Sequence, residues 1–211
     1  MLKSLFPQVE WDEIEAVGFD LDGTLYDELD FILQVYSPIA ALLANVTKQW
    51  QHEIYWWMVN RWLEKGSSYN RIFQEVLDSK DVDGETTNKT IEECLDIYRN
   101  FQPKLSLTNR VRILLDNFKN KYPLFLITDG NSALQRAKFK ALGLEKWFDH
   151  SNVVISGDYG TEYQKPSAFM ASQTEILQNV SPYRIIYFGD RQKDALFASN
   201  VGFRFIPVKV M

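Results

Sequence analysis

Two carboxylates stand two residues apart in Phe19-Asp20-Leu21-Asp22-Gly23-Thr24-Leu25, just past the short apolar run Ala16-Val17-Gly18-Phe19. In that arrangement one carboxylate can attack phosphorus, while the other hands a proton to the departing oxygen and later takes one from water. Gly23 permits tight backbone geometry, so that amides and the Thr24 hydroxyl can approach a phosphate. The alternative is structural: Asp20 and Asp22 would then only solvate or cap a turn at a strand end.

Three further segments place suitable chemistry after an apolar run. Leu124 to Ile127 leads into Thr128-Asp129-Gly130-Asn131, a hydroxyl and turn amides before a helix start that favours anions. After Val153-Val154-Ile155 comes Lys165-Pro166-Ser167, a cation able to neutralise phosphate charge and restrain a nucleophilic carboxylate. Ile185 to Phe188 leads into Gly189-Asp190-Arg191-Gln192-Lys193-Asp194. Mg²⁺ takes oxygen ligands, commonly one or two carboxylates beside waters and a substrate phosphate. Asp190 can supply a carboxylate opposite Asp20, with Asp194 behind it orienting Lys165 or metal-bound waters.

The elements that must hold these residues fall into two patterns. Apolar residues at three- and four-residue spacing predict helices near 29–48, 51–65, 69–78 and 88–100, separated by Gly66-Ser67-Ser68 and the polar stretch Asp81 to Thr87. Ser37-Pro38 predicts a kink or a fresh helix start in the first of them. From Leu107 onward helices near 108–119, 132–142, 167–178 and 193–200 alternate with strands at 124–127, 153–155, 185–188 and 203–206. That alternation predicts right-handed βαβ units and an α/β fold with a doubly wound parallel sheet, interrupted by an inserted helical block. The expected domains are 1–27 with 105–211 for the sheet and 28–104 for the helical insertion. Catalytic loops then lie where the strands end, in the crevice that open α/β sheets use for ligands.

With 211 residues, 45% hydrophobic and 14% aromatic, the chain is long enough for a core domain carrying an appendage. A formal charge of -5 without any Lys/Arg block gives no general pull toward nucleic acid or an anionic membrane surface. The start, Met1-Leu2-Lys3-Ser4-Leu5-Phe6-Pro7, lacks a continuing apolar segment, and no later stretch approaches the roughly 20 apolar residues of a membrane span. A cytoplasmic protein is expected. Cys94 is the one cysteine, which excludes an intrachain disulfide and reads as a small buried apolar residue. His52 and His150 show no ligand spacing.

Taken in order, Asp20-x-Asp22-Gly23-Thr24, Thr128, Lys165-Pro166 and Gly189-Asp190 with Asp194 resemble the four motifs of the haloacid dehalogenase superfamily, in its phosphatase branch with a helical cap inserted after the first motif. The resemblance implies that Asp20 forms an aspartyl-phosphate and that Asp22 serves as general acid, then base. It implies Mg²⁺ held by the Asp20 carboxylate, the Asp22 backbone carbonyl and Asp190, with Thr128 and Lys165 on the phosphoryl oxygens and Gly23, Thr24, Asp129 and Gly130 completing the phosphate site. Off the metal and crowded by negative charge, Asp22 is expected to have a raised pKa. Asp at position 22 favours phosphate esters over dehalogenation. Many relatives carry Asn where Asp129 stands, so Asp129 is expected to contribute only its backbone.

The implied substrate is a small phosphorylated metabolite of nucleotide or sugar phosphate class, taken by a monomer or homodimer. Two alternatives remain open: a phosphomutase of β-phosphoglucomutase type, and a non-catalytic binding or regulatory protein on the same fold. The connections near Leu25 to Leu29 and Phe101 to Ser106 should act as a hinge for cap closure. Trp50, Tyr55, Trp56, Trp57, Trp62, Tyr69 and Phe73 read as the cap's own core, with a stacking wall for substrate or a dimer face as alternatives.

Overall fold

The computed structural model describes residues 1–80 and 82–211; Asp81, at the head of the expected polar separator, lies outside the described residues. The chain divides into two compact units, Met1–Glu28 with Lys104–Met211 and Leu29–Pro103. The first unit is built on five parallel strands, β1 (Ala16–Phe19), β2 (Leu124–Thr128), β3 (Val153–Ile155), β4 (Ile185–Gly189) and β5 (Arg204–Pro207), in the order β3-β2-β1-β4-β5. Every residue of β1, β2 and β4 is buried, as continuous apolar runs covered on both faces require. The strand order reverses around β1, so the loops after β1 and β4 flank the switch point where such sheets bind ligands.

A short α1 (Leu2–Leu5) opens the unit, and α6 (Asn109–Lys119), α7 (Ser132–Ala141), α8 (Phe169–Ser172) and α9 (Gln192–Val201) accompany the sheet. The Thr108 and Asn131 side chains accept from the amides of Val111 and Leu134, capping the N-termini of α6 and α7. Only four residues of the helix expected at 167–178 form α8. Thr174 ends it: this β-branched residue is fully buried with extended backbone, its hydroxyl donates to the Met170 carbonyl, and residues 175–179 continue as a 3₁₀ turn.

Gly18 of β1 stands opposite Phe125 of β2 and Tyr187 of β4. A methyl at Gly18 would lie 2.1 Å from the Phe125 ring, so the bare backbone is what admits that ring. Phe125 and Tyr187 then stack with centroids 6.2 Å apart.

The second unit holds α2 (Glu28–Thr47, beginning one residue before the unit), α3 (Gln51–Lys65), α4 (Ile72–Asp78) and α5 (Gly84–Asn100). Helix α2 runs through Pro38 without a break, contrary to the expected kink or restart. Burial of Phe31, Ile32, Val35, Tyr36, Ile39, Ala40 and Leu43 along one face outweighs the one hydrogen bond that Pro38 removes. Its 20 residues, with an 18-residue stretch of mean hydropathy 1.5, make it long and apolar enough to cross a membrane, which corrects the expectation that no stretch approaches that size. The buried face is that of a core helix within its own unit. Cys94 is buried and its thiol is pushed up to about 12 by that burial.

The aromatic block divides. Trp50, Trp56 and Trp57 are exposed rather than core, because Ile54, Met58 and Val59 already occupy the inward face of α3. Trp62, Tyr69 and Phe73 instead line a cavity of about 190 Å³ with Tyr36 and Tyr98.

Candidate active site

Asp20 follows the last residue of β1, and its amide donates to the Phe188 carbonyl of β4 at 2.9 Å. This places its carboxylate at the strand ends, with the side chain 7% exposed. The Lys165 ammonium meets Asp20 Oδ1 and Asp194 Oδ1, each at 2.5 Å, and reaches the Tyr187 hydroxyl and the Ile127 carbonyl at 3.3 Å. Burial pushes Asp20 up to about 7, with Lys165 pulling against it and the Asp194 charge adding to the rise. Burial alone would discharge Lys165, yet Asp20, Tyr187 and Asp194 hold it well above its ordinary value. Lys165 thus keeps a deeply buried carboxylate pair from standing without a counter-charge.

Asp22 is held by a different set. Lys138 Nζ donates to its Oδ1 at 2.7 Å, Gln135 Nε2 donates to its Oδ2 at 2.7 Å, and the Tyr26 hydroxyl also donates to Oδ1. Burial would raise this carboxyl, but the Lys138 charge and these three bonds hold it below the usual range. This corrects the expected raised pKa: the crowding of negative charge is outweighed by the Lys138 ammonium, which is distant in sequence. Gln135 also donates to the Thr128 hydroxyl oxygen at 2.6 Å, which leaves that O–H free to donate to an oxygen of its own.

Several phosphate contacts expected of the turns are committed elsewhere. The Gly23 amide donates to the Tyr26 carbonyl at 3.1 Å and the Gly130 amide to Ser156 Oγ at 3.1 Å, so both close their own loops. Asp129 contributes more than backbone: its Oδ1 accepts from the Lys165 amide at 3.0 Å and its Oδ2 from Lys193 at 2.7 Å, pinning the Lys165 loop to the start of α9. Thr24 is fully buried, and its hydroxyl has no hydrogen-bond partner among the described residues.

One oxygen each of Asp20, Asp190 and Asp194 lies within 4.8 Å of the others. Both Asp194 oxygens are engaged, one by Lys165 and one by the Arg191 amide at 3.0 Å. Asp190 Oδ1, in contrast, is enclosed and unpartnered among the described residues. A buried carboxylate oxygen without a donor, on a residue whose carboxylate lies within 4.8 Å of a second one, fits a hard divalent cation. Gly23, at φ 76, keeps the space clear: a methyl there would lie 2.4 Å from Asp190 Oδ2.

Lys138, Gln135, Tyr26, Tyr187, Glu28 and Arg191 complete the site and were not read from the sequence. A signal existed for two of them, since Gln135 and Lys138 share the buried face of α7 with Leu134 and Phe139. Polar residues at core positions of an amphipathic helix ask for a partner.

The chain is 29% identical over 199 residues to the glyceraldehyde 3-phosphate phosphatase of Methanothermobacter thermautotrophicus, covering 92% of this chain and 85% of that protein. It is 26% identical to the human N-acylneuraminate-9-phosphatase over 74% of this chain and 66% of that one. Among solved structures, a HAD-superfamily hydrolase of Geobacter sulfurreducens superposes with a TM-score of 0.67 at 20% identity, covering 92% of this chain and 87% of that chain. The family model for haloacid dehalogenase-like hydrolases matches residues 17–208, and the chain belongs to that family.

Proposed function

We propose that this hydrolase is a Mg²⁺-dependent phosphatase that cleaves a small phosphomonoester, of nucleotide or sugar phosphate class, through an aspartyl-phosphate on Asp20. The observation that carries the reading is that Asp20 meets Lys165, that one of its oxygens lies within 4.8 Å of an oxygen of Asp190, and that Asp190 Oδ1 is buried without a partner among the described residues. Curated relatives named as phosphatases support the reaction type.

Lys165 orients Asp20 through Oδ1, so Oδ2 is left for attack on phosphorus. The ester oxygen departs with its electron pair as the Asp20–phosphorus bond forms, and Asp22 delivers the proton it needs. Asp22 must first leave Lys138, because that pairing favours its charged form. Once the alcohol is gone, ionised Asp22 takes a proton from water, whose oxygen attacks phosphorus and returns Asp20 as a carboxylate. The Thr128 hydroxyl, its oxygen already held by Gln135, donates to a phosphoryl oxygen. When bound by Asp20, Asp190 and the Asp22 carbonyl, Mg²⁺ would offset the negative charge of nucleophile and phosphoryl group as they approach.

Residues 28–104 act as the cap in this reading, and the enzyme works in the cytoplasm on a soluble metabolite. The test is phosphate release from nucleotides, sugar phosphates and three-carbon phosphates, with Mg²⁺ or EDTA, by wild type and Asp20→Asn. Metal-dependent release absent from the variant is the expected result. Isomer formation without phosphate release would overturn the reading in favour of a mutase.

A further inference from the structure

We propose that Arg191 sets how tightly the Asp20–Asp190 pair holds its divalent cation, and that Glu28 tempers Arg191. The inference rests on the metal reading above. Arg191 follows Asp190 at the entry to α9, and its Nε lies 3.7 Å from Asp190 Oδ2. Its Nη2 donates to Glu28 Oε2 at 2.7 Å, so the guanidinium is fixed from the far side. The two Asp190 oxygens are therefore unequal: Oδ2 faces a cation already present in the protein, and Oδ1 is enclosed and unpartnered among the described residues.

Two consequences follow from electrostatics. Arg191 restricts Asp190 to one oxygen for an incoming ion, and it places a positive charge beside that ion. Even at the dielectric of water, a unit charge about 6 Å from a divalent ion changes its binding by about tenfold. Glu28 stands beyond the guanidinium, partly buried, and cancels part of this repulsion. The arrangement gives the site a weaker hold than its carboxylates alone would give, which suits an ion that must share its ligands with an arriving phosphate.

Signs distinguish this from a scaffolding role. Removing the Arg191 charge should tighten the cation, and removing the Glu28 charge should loosen it. A merely structural pair would loosen the site either way. The Arg191 backbone is held separately, by its amide on Asp194 Oδ2, so side-chain variants keep the turn.

Binding of Mg²⁺ by calorimetry, and of Mn²⁺ by electron paramagnetic resonance, would be measured without substrate. Titrations at about pH 8 keep Glu28, which burial raises to about 7, mostly ionised. Arg191→Met should bind about tenfold tighter, Glu28→Gln severalfold weaker, and Arg191→Lys near wild type. Unchanged or weaker binding in Arg191→Met overturns the inference, as does unchanged or tighter binding in Glu28→Gln. A wild-type protein that takes up neither ion refutes the metal reading itself, and this inference with it.

Discussion

Replacing Lys165 with methionine keeps most of the side-chain volume and deletes one charge. The Lys165 and Asp194 side chains are both 0% exposed and Asp20 is 7% exposed, so the variant leaves two carboxylates in the interior without their cation. Removing one partner of a buried pair typically costs about 3 to 5 kcal/mol. For a chain of this size that is a fall in Tm of about 6 to 20 °C. The loss should depend on pH, with a definite sign. Asp20 has a folded pKa of about 7, above its unfolded value of 3.8, so its protonated form favours the folded state. That contribution is complete below the unfolded value and is lost as pH rises through about 7. Near pH 5.5 Asp20 carries its proton in both proteins, and only the Asp194 contact separates them. Near pH 8 wild-type Asp20 is ionised and held by Lys165, whereas the variant must bury the bare charge. Urea titrations and scanning calorimetry in EDTA at these two pH values are the assay. A variant within about 1 kcal/mol of wild type at the higher pH would refute this account, and so would a deficit that grows on acidification.

Lys138→Met removes the charge that holds Asp22 low, so the alkaline limb of kcat/KM, where the general acid loses its proton, should move up by about one unit or more; an unmoved limb in pH–rate profiles counts against Asp22 as the titrating group. Gly23→Ala forces a methyl onto Asp190 Oδ2 and a side chain into a backbone at φ 76. It should weaken Mg²⁺ binding by about tenfold or more, and wild-type affinity by calorimetry would show that the turn yields without moving Asp190. Gln135→Leu unties Thr128 from Asp22 and should lower kcat by about tenfold to a hundredfold with little change in folding stability; steady-state kinetics beside a melting curve would expose the opposite pattern.

Strands β1, β2 and β4 were legible because a fully covered parallel sheet asks for unbroken apolar runs, and such runs stand out against helical periodicity. The positions of Asp20, Thr128 and Asp190 were legible for the same reason, each lying at or just past the end of such a run, whereas Lys165 stands a loop beyond β3. The state of Asp22 was not, because it depends on Lys138, which is 116 residues away in sequence. Local spacing carries no information on such a meeting. Asp129 shows the same limit: its side chain works between the Lys165 loop and Lys193, which the turn sequence alone does not reveal. Thr174 and Pro38 failed in opposite directions. Burial of Thr174 overrode a helical pattern, while burial of the α2 face carried a helix through its proline.

The missing side chain at Gly18 reaches further than its own strand. It admits the Phe125 ring, which stacks on Tyr187, whose hydroxyl donates to the Ile127 carbonyl at 2.8 Å and receives Lys165 at 3.3 Å. Positions 18, 125 and 187 therefore cannot drift independently. In homologues a larger residue at the first should be accompanied by a smaller one at the second, and that exchange should be accompanied by a new support for the lysine. Such correlated substitution would be a record, kept in the core, of a constraint that originates at the reacting carboxylate.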